Sequence, residues 1–196
     1  TEIVAHIDNY YSNDFTQEHG NQAASAVANT IRKLSGYDLV FMQACYVAND
    51  IYAGDYSQKD LAYIARNDGG WPGLMELTGD QIYTLVEATL SMTGNRGAVC
   101  NDSTLYVSSG FEMDITKTDS GYTLNALTMS GKELDRSATY SFLIYGDRDW
   151  YMSEVMEQMG VSEVDTTGPK AEGYLMQRLV EQGGQLEAPT DYIILR

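Results

Sequence analysis

Histidine and cysteine are scarce in this chain, and each scarcity closes off a class of chemistry. Two histidines occur in 196 residues, His6 and His19, both in the N-terminal segment and far in sequence from any apolar run with a neighbouring nucleophile or carboxylate pair. A histidine-based acid–base centre is therefore not expected. The same shortage, with no HExxH, CxxC or EF-hand spacing anywhere, argues against a zinc or two-metal site in these residues. Two cysteines, Cys45 and Cys100, allow one bridge at most, too few for a disulfide scaffold or a metal cluster. Cys45 ends an apolar run where a small apolar residue suits, and a core of this size does not require a bridge. Positive charge is also in short supply: 12 Lys and Arg against 28 Asp and Glu leave a formal net charge of −16. So acidic a surface excludes a nucleic-acid polymer or an anionic membrane as the main partner. No run of about 18 apolar residues is present and no charged segment leads into a short apolar one at Thr1, so neither a membrane span nor a signal peptide is expected in these residues. Glycine-rich phosphate loops of the Gly-x-Gly-x-x-Gly or Gly-Lys-Thr type are missing as well.

What is present is enough apolar material, 43% of residues, for one sizeable core. The stretch from Gly69 to Leu90 organises it. A short apolar run, Leu74 to Leu77, leads to Thr78, which stands three residues before Gln81 in the pattern of a helix-capping box. Ile82, Leu85, Val86, Thr89 and Leu90 then recur on one face of a 3.6-residue period, so a strand, a sharp turn and a helix lying on the sheet are expected. Upstream, Ile3, Val4, Ile7, Tyr10 and Tyr11 follow a roughly helical spacing that predicts a short lead-in helix. The stripe Ala24, Val27, Ala28, Ile31 and Leu34 predicts a second helix ended by Gly36, with Arg32 and Lys33 at its negative end. The continuous run after Asp38 reads as a central strand covered on both faces. Ser57 with Asp60 repeats the capping-box signal before a helix carrying Leu61, Ile64 and Ala65.

Beyond a loop from Thr93 to Asp102, alternation takes over in Leu105 and Val107, Phe111 to Ile115, Tyr122 and Leu124, and Leu127 and Met129, with Asp119-Ser-Gly as a turn. Tyr140 to Tyr145 is another strand. The loop Gly146-Asp-Arg-Asp precedes a helix with Trp150, Val155 and Met156; its carboxylates read as those of a charged loop at a strand end. Pro169 opens a last helix closed by Gly183-Gly184, and Tyr192 to Leu195 is a final strand. The expected class is α+β, a mixed β-sheet with packed helices.

The residues most in excess are aromatic, with 15 tyrosines and 2 tryptophans. Several, among them Tyr46, Tyr52, Tyr56, Trp71, Tyr145 and Trp150, fall at strand ends, where a flat apolar face with a polar rim suits stacking on a base or a sugar. Most of the rest are ordinary core or sheet-surface side chains.

Several segments in fixed order carry a resemblance. They are Glu18-x-x-Asn21 opening the alanine-rich helix; Asp38-Leu-Val-Phe-Met; Gly54-x-x-Ser57-x-x-Asp60-Leu61; Leu74-x-x-Leu77-Thr78-Gly79-x-x-Ile82 with Glu87; Ser109-Gly110; Tyr140-Ser-Phe-Leu-Ile-Tyr-Gly146; and Pro189-Thr190-Asp191-Tyr192-Ile193. Together, from about Glu18 to Arg196, they resemble a divergent member of the C-terminal, substrate-binding domain of 5'-nucleotidases. The resemblance implies a separate upstream metallophosphoesterase domain with two divalent metal ions that performs hydrolysis, and a role for this domain in holding the nucleoside between two aromatic rings. On that reading residues 1–15 are a linker helix from the preceding domain and 16–196 the domain itself. The chain then holds no cofactor and no catalytic residue of its own, and it belongs to an extracellular, cell-surface or periplasmic enzyme. Its partners are a nucleoside or nucleotide and the upstream domain. A start at Thr1 without methionine fits a piece of a longer protein.

The departures from the family pattern are specific. After the central strand the family carries Asn-x-Gly-x-x-Arg, whose asparagine and arginine contact substrate, whereas this chain reads Gln43-Ala-Cys-Tyr-Val-Ala48. The stacking Pro-Phe pair before the organising unit falls at Asn67-Asp68, with Trp71 near enough to substitute. Phe142 matches the phenylalanine of Phe-Leu-x-x-Gly-Gly-Asp, but the motif continues as Gly146-Asp147-Arg148, so Asp147 is the acidic partner only if one residue is skipped. The resemblance thus implies a substrate site of Phe142, Tyr145, Asp147 and Trp71. Two readings stay open: the recognition half of a nucleotide-hydrolysing enzyme, or a degenerate, non-catalytic binding domain that keeps the fold.

Overall fold

A computed structural model describes residues 1–16, 20–47, 49–65, 70–91, 106–119, 121–147, 151–190 and 192–196. In chain order the elements are β1 (Ile3–Ile7), β2 (Phe15–Thr16), β3 (Gly20–Asn21), α1 (Gln22–Ser35), β4 (Leu39–Gln43), a 3₁₀ turn (Ala44–Tyr46), β5 (Gly54–Ser57) and α2 (Gln58–Ala62). There follow β6 (Gly70–Thr78), α3 (Gly79–Ser91), β7 (Tyr106–Ser109), β8 (Glu112–Thr118), β9 (Gly121–Met129), β10 (Lys132–Glu133), β11 (Thr139–Asp147), a π-helical turn (Tyr151–Met156), α4 (Ala171–Met176), which continues as a π-helical turn over Gln177–Glu181, and β12 (Ile193–Leu195). The class is α+β. One mixed sheet has the order β6-β11-β4-β7, a second β10-β9-β8-β12, and two ribbons pair β1 with β5 and β2 with β3.

Local chemistry accounts for the helix starts. Asn21 caps α1, its Oδ1 accepting the Ala24 N–H at 2.8 Å, and Gly36 closes the helix in the left-handed region at φ 73°. Both capping boxes form. Ser57 Oγ accepts the Asp60 N–H at 3.2 Å while Asp60 Oδ2 accepts the Ser57 N–H at 3.2 Å. Gln81 Oε1 accepts the Thr78 N–H at 2.9 Å, and Thr78 Oγ1 accepts that of Gln81 at 3.2 Å. Pro169 stands just outside α4, whose N-cap is Lys170.

The central run is confirmed as β4, buried along its whole length between β11 (parallel) and β7 (antiparallel). α1 packs on β4 and β7, and α3 fills the space between β6 and β9, so the two four-stranded sheets share one core. The alternation from Phe111 to Met129 becomes the β8–β9 hairpin, with Met113, Ile115 and Leu127 buried.

Three expectations are corrected. The lead-in helix does not form: Ile3–Ile7 is strand β1, antiparallel to β5. Its β-branched Ile3, Val4 and Ile7 suit a strand, and a partner about fifty residues away supplies the hydrogen bonds. Gly146-Asp147 is not loop but the end of β11, paired with Trp71 and Gly70. Cys45 is disulfide-bonded, where a small apolar residue without a required bridge was expected; Cys100 lies outside the described residues. So do His19, Asn67 to Gly69, the expected loop from Thr93 to Asp102, and Arg148 to Trp150.

The C-terminal segment binds the layers together. Tyr192 Oη accepts the Asn21 N–H at 2.6 Å, Ser25 Oγ accepts the Thr190 N–H at 3.1 Å, and Asn29 Nδ2 donates to the Ala188 carbonyl at 2.8 Å. Gln185 reaches β1: its Nε2 donates to the His6 carbonyl at 2.7 Å and its Oε1 accepts the Asp8 N–H at 2.9 Å. One side-chain amide thus occupies the strand's edge as a peptide group of a further strand would.

Candidate functional site

β4 and β11 are parallel, and in open sheets with helices ligands sit beyond the carboxyl ends of such strands. At that end the register sets four residues in one row across the sheet. Trp71 of β6 is opposite Gly146 of β11, Gln43 of β4 is opposite Tyr106 of β7, and because Tyr145 is level with Met42, Gly146 is level with Gln43.

Gln43 is the unusual member of the row. It is 7% exposed, and its carboxamide makes no hydrogen bond with any described residue. The other buried polar side chains all have partners: Asn21 on Asn13 and the Ala24 N–H, Asn29 and Ser25 in the C-terminal lacing, Thr30 on the Ala26 carbonyl, Ser57 in its capping box, Thr89 on Val86, Ser108 on Phe111, and Ser109 on Asn29. A buried amide with donor and acceptor both unused costs about 1–3 kcal/mol, so its retention calls for an explanation. Tyr106, beside it, stacks on Phe41 with ring centroids 4.5 Å apart and 21° between planes. Its hydroxyl lies against Gly146, where an added Cβ would come within 2.3 Å of it, so only glycine fits.

The four residues expected to line the site meet different fates. Trp71 is at this end of the sheet, 42% exposed, with Lys170 Nζ 4.6 Å from its ring centroid. Asp147 ends β11 opposite Gly70, and its side chain lies outside the described residues. Phe142 is fully buried among Phe41 and Phe111, at 6.1 and 6.5 Å between centroids. Tyr145 is 1% exposed and donates its hydroxyl to the Pro169 carbonyl at 2.6 Å; burial raises its phenol well above the ordinary range. The expected arrangement sets a base on Phe142 with Trp71 or Tyr145 on its other face. Three residues apart on one strand, Phe142 and Tyr145 point to opposite faces and cannot clasp one base between them. Neither ring offers a free face here. Sequence reading noticed Gln43 only as a departure and passed over Tyr106. The available signal for Gln43 was a polar residue closing an otherwise apolar run.

More aromatic surface is formed by Tyr10, which follows β1, and Tyr52, in the segment after β4. Tyr10 and Tyr52 are half-exposed, their ring centroids 5.5 Å apart, and both donate to Asp50 Oδ2, at 2.9 and 3.4 Å. The Asn13 N–H, with these bonds, holds the Asp50 carboxyl below its usual range. A groove of about 750 Å³ runs along the outer edge of β6, where Leu74 bridges to Asp165, past Tyr37, Glu76 and Glu163. It holds three carboxylates and neither a cation nor a nucleophile with its base. Among the described residues, no group of three or more His, Cys, Asp or Glu is placed to hold a metal ion.

The family model for the 5'-nucleotidase C-terminal domain matches residues 3–146. Among solved structures, the 5'-nucleotidase precursor of Thermus thermophilus is similar at 12% identity and a TM-score of 0.75, over 100% of this chain and 39% of that one. The NAD nucleotidase of Haemophilus influenzae is similar at 14% identity and a TM-score of 0.75, over 100% of this chain and 38% of its own. The sulfate thiohydrolase SoxB of T. thermophilus follows at 14% identity and a TM-score of 0.67, over 100% and 35%. No curated protein sequence gives a significant match. This chain therefore spans about two fifths of the length of the structures it resembles. The solved structures share its fold, the matched family model covers most of its length, and the chain belongs to the 5'-nucleotidase C-terminal domain family.

Proposed function

We propose that this domain is the substrate-recognition part of a 5'-nucleotidase-like phosphoester hydrolase and that it binds a nucleoside or nucleotide at the carboxyl ends of β4 and β11. The observation that carries the reading is the buried carboxamide of Gln43, without a hydrogen-bond partner among the described residues, in one row with Tyr106, Gly146 and Trp71. A ligand with adjacent donor and acceptor groups, such as a ribose diol or a base edge, would satisfy both ends of that amide, and Trp71 would supply a stacking face. On this reading, as the family resemblance implies, the two divalent ions of hydrolysis are held by an upstream metallophosphoesterase domain and this domain supplies recognition. A disulfide at Cys45 accords with an oxidising compartment, extracellular, cell-surface or periplasmic.

One observation favours the second reading, a non-catalytic interaction domain: the rings of Phe142 and Tyr145 are buried in the core. Titration with adenosine and with its monophosphate, followed by tryptophan fluorescence and NMR, separates the two. The first reading expects binding at about millimolar to high micromolar levels, tighter for the uncharged nucleoside in a protein of net charge −16 and lost in Gln43→Leu. No response to either ligand at millimolar concentration moves the assignment to an interaction domain. The purified chain alone is expected to show no metal-dependent hydrolysis of nucleotides or model phosphoesters.

A further inference from the structure

The opposite end of the central sheet carries a second cleft, of about 400 Å³, lined by Asn29, Arg32, Lys33, Gly110, Thr128 and Thr190, with Glu112 and Glu187 at its sides. In a chain with 12 basic residues against 28 acidic ones, a guanidinium without a carboxylate is uncommon. The other arginines with described ion pairs, Arg136, Arg178 and Arg196, each meet an Asp or Glu within 3.2 Å. Arg32 has no carboxylate within ion-pairing distance among the described residues. It is held by neutral groups in a chain that begins in the core: Asn29 Nδ2 donates to the Ala188 carbonyl at 2.8 Å, Ser109 Oγ donates to Asn29 Oδ1 at 2.6 Å, and Arg32 Nε donates to Ser109 Oγ at 2.8 Å. Asn29 is 8% and Ser109 1% exposed, so the anchor is rigid.

Gly110 is shaped to the same arrangement. Its φ of +93° favours glycine, and an added Cβ would lie 2.6 Å from the Asp38 carbonyl and 3.2 Å from Arg32 Cδ, so the arginine stem lies across a residue that cannot carry a side chain. The neighbouring acids are engaged elsewhere. Glu187 pairs with Arg178 at 2.9 Å, and Glu112 Oε2 accepts the Thr128 hydroxyl at 3.1 Å. The ordinary explanation of Arg32 and Lys33, compensation of the negative end of α1, accounts for their charge but not for the anchoring of Arg32 by Ser109 and Asn29.

We infer that this cleft is a binding site for a small oxyanion, a phosphate or a carboxylate, gripped by the terminal N–H groups of Arg32 with Lys33 beside it. The planar guanidinium matches two oxygens of either anion, and holding Nε on Ser109 leaves the other donors for the ligand. The site is independent of the nucleoside reading and at the other end of the strands.

The test is an NMR titration of the whole chain at fixed ionic strength, following the Arg32 Nε–Hε signal and the amides of Gly110 and Thr128, with inorganic phosphate in one arm, acetate in a second and chloride as control. Saturable shifts with phosphate or acetate but not chloride are expected, and the arm that saturates at lower concentration identifies the natural chemistry. Arg32→Gln should abolish saturation, and Arg32→Lys, which keeps the charge but loses the fork, should weaken it by about fivefold or more, both in protein whose cooperative melting and amide spectrum show the fold retained. Shifts that rise linearly, that chloride reproduces or that survive in Arg32→Gln overturn the inference.

Discussion

Gln43 sits where stability and recognition pull in opposite directions. Its buried amide has no hydrogen-bond partner among the described residues, so replacing it with methionine, of similar volume and without a hydrogen-bonding amide, is expected to stabilise the fold by about 1 kcal/mol while removing nucleoside binding. Denaturant unfolding and the adenosine titration, run on one sample, check both halves. A destabilised Gln43→Met protein would mean that the amide has a structural partner after all. The sequence made Gln43 visible as a polar residue closing an apolar run, but its lack of partners depends on β7 and β11, which arrive from about sixty and a hundred residues away. Phe142 fails in the reverse sense. Its identity fitted a stacking motif, yet whether an aromatic face is free is decided by Phe41 and Phe111 packing around it, and local sequence carries no record of that.

Elements whose signals are local were readable before the fold was known. The pairs Ser57/Asp60 and Thr78/Gln81 were legible because both partners lie within one helical turn. Ser57→Ala should cost about 1 kcal/mol, measured by denaturant unfolding, since it removes the cap of the Asp60 amide and one support of the reciprocal bond. β1 was unreadable for the opposite reason: Ile3, Val4 and Ile7 satisfy a helical stripe as well as a strand, and only β5 decides between them. The tie between β12 and β8 has a pH signature. Arg196 donates to both oxygens of Asp114, at 3.0 and 3.2 Å from Nε, and these bonds hold the Asp114 carboxyl below its usual value. A depressed carboxylate contributes stability that is complete above its unfolded value, about 3.9, and is lost as pH falls through its folded one. The melting-temperature difference between the parent and Asp114→Asn should therefore be largest near neutrality and shrink below about pH 4. A difference that is the same at pH 3 and pH 7 would rule this out.

At the scale of the whole molecule, the succession of helical and alternating segments pointed to the class and the segment order to the family, but the strand order β6-β11-β4-β7, which sets Trp71, Gly146, Gln43 and Tyr106 in one row, comes from pairings between distant segments. Pairings of that kind leave no trace in any one segment, which is why, of the residues expected from the motifs, Trp71 is in the row while Phe142 and Tyr145 are in the core. The Gln185 bridge to His6 and Asp8 bears on how copies of the molecule behave toward one another. β1 belongs to a two-stranded ribbon, and an outer edge of bare amides and carbonyls is a template for a strand of a neighbouring molecule. By filling two of those positions with a group that has no chain to continue, Gln185 terminates the ladder. Gln185→Leu should leave the fold intact yet make the protein self-associate as its concentration rises, visible by sedimentation or light scattering, so one amide side chain on a C-terminal loop would be what keeps this strand from recruiting its own copies.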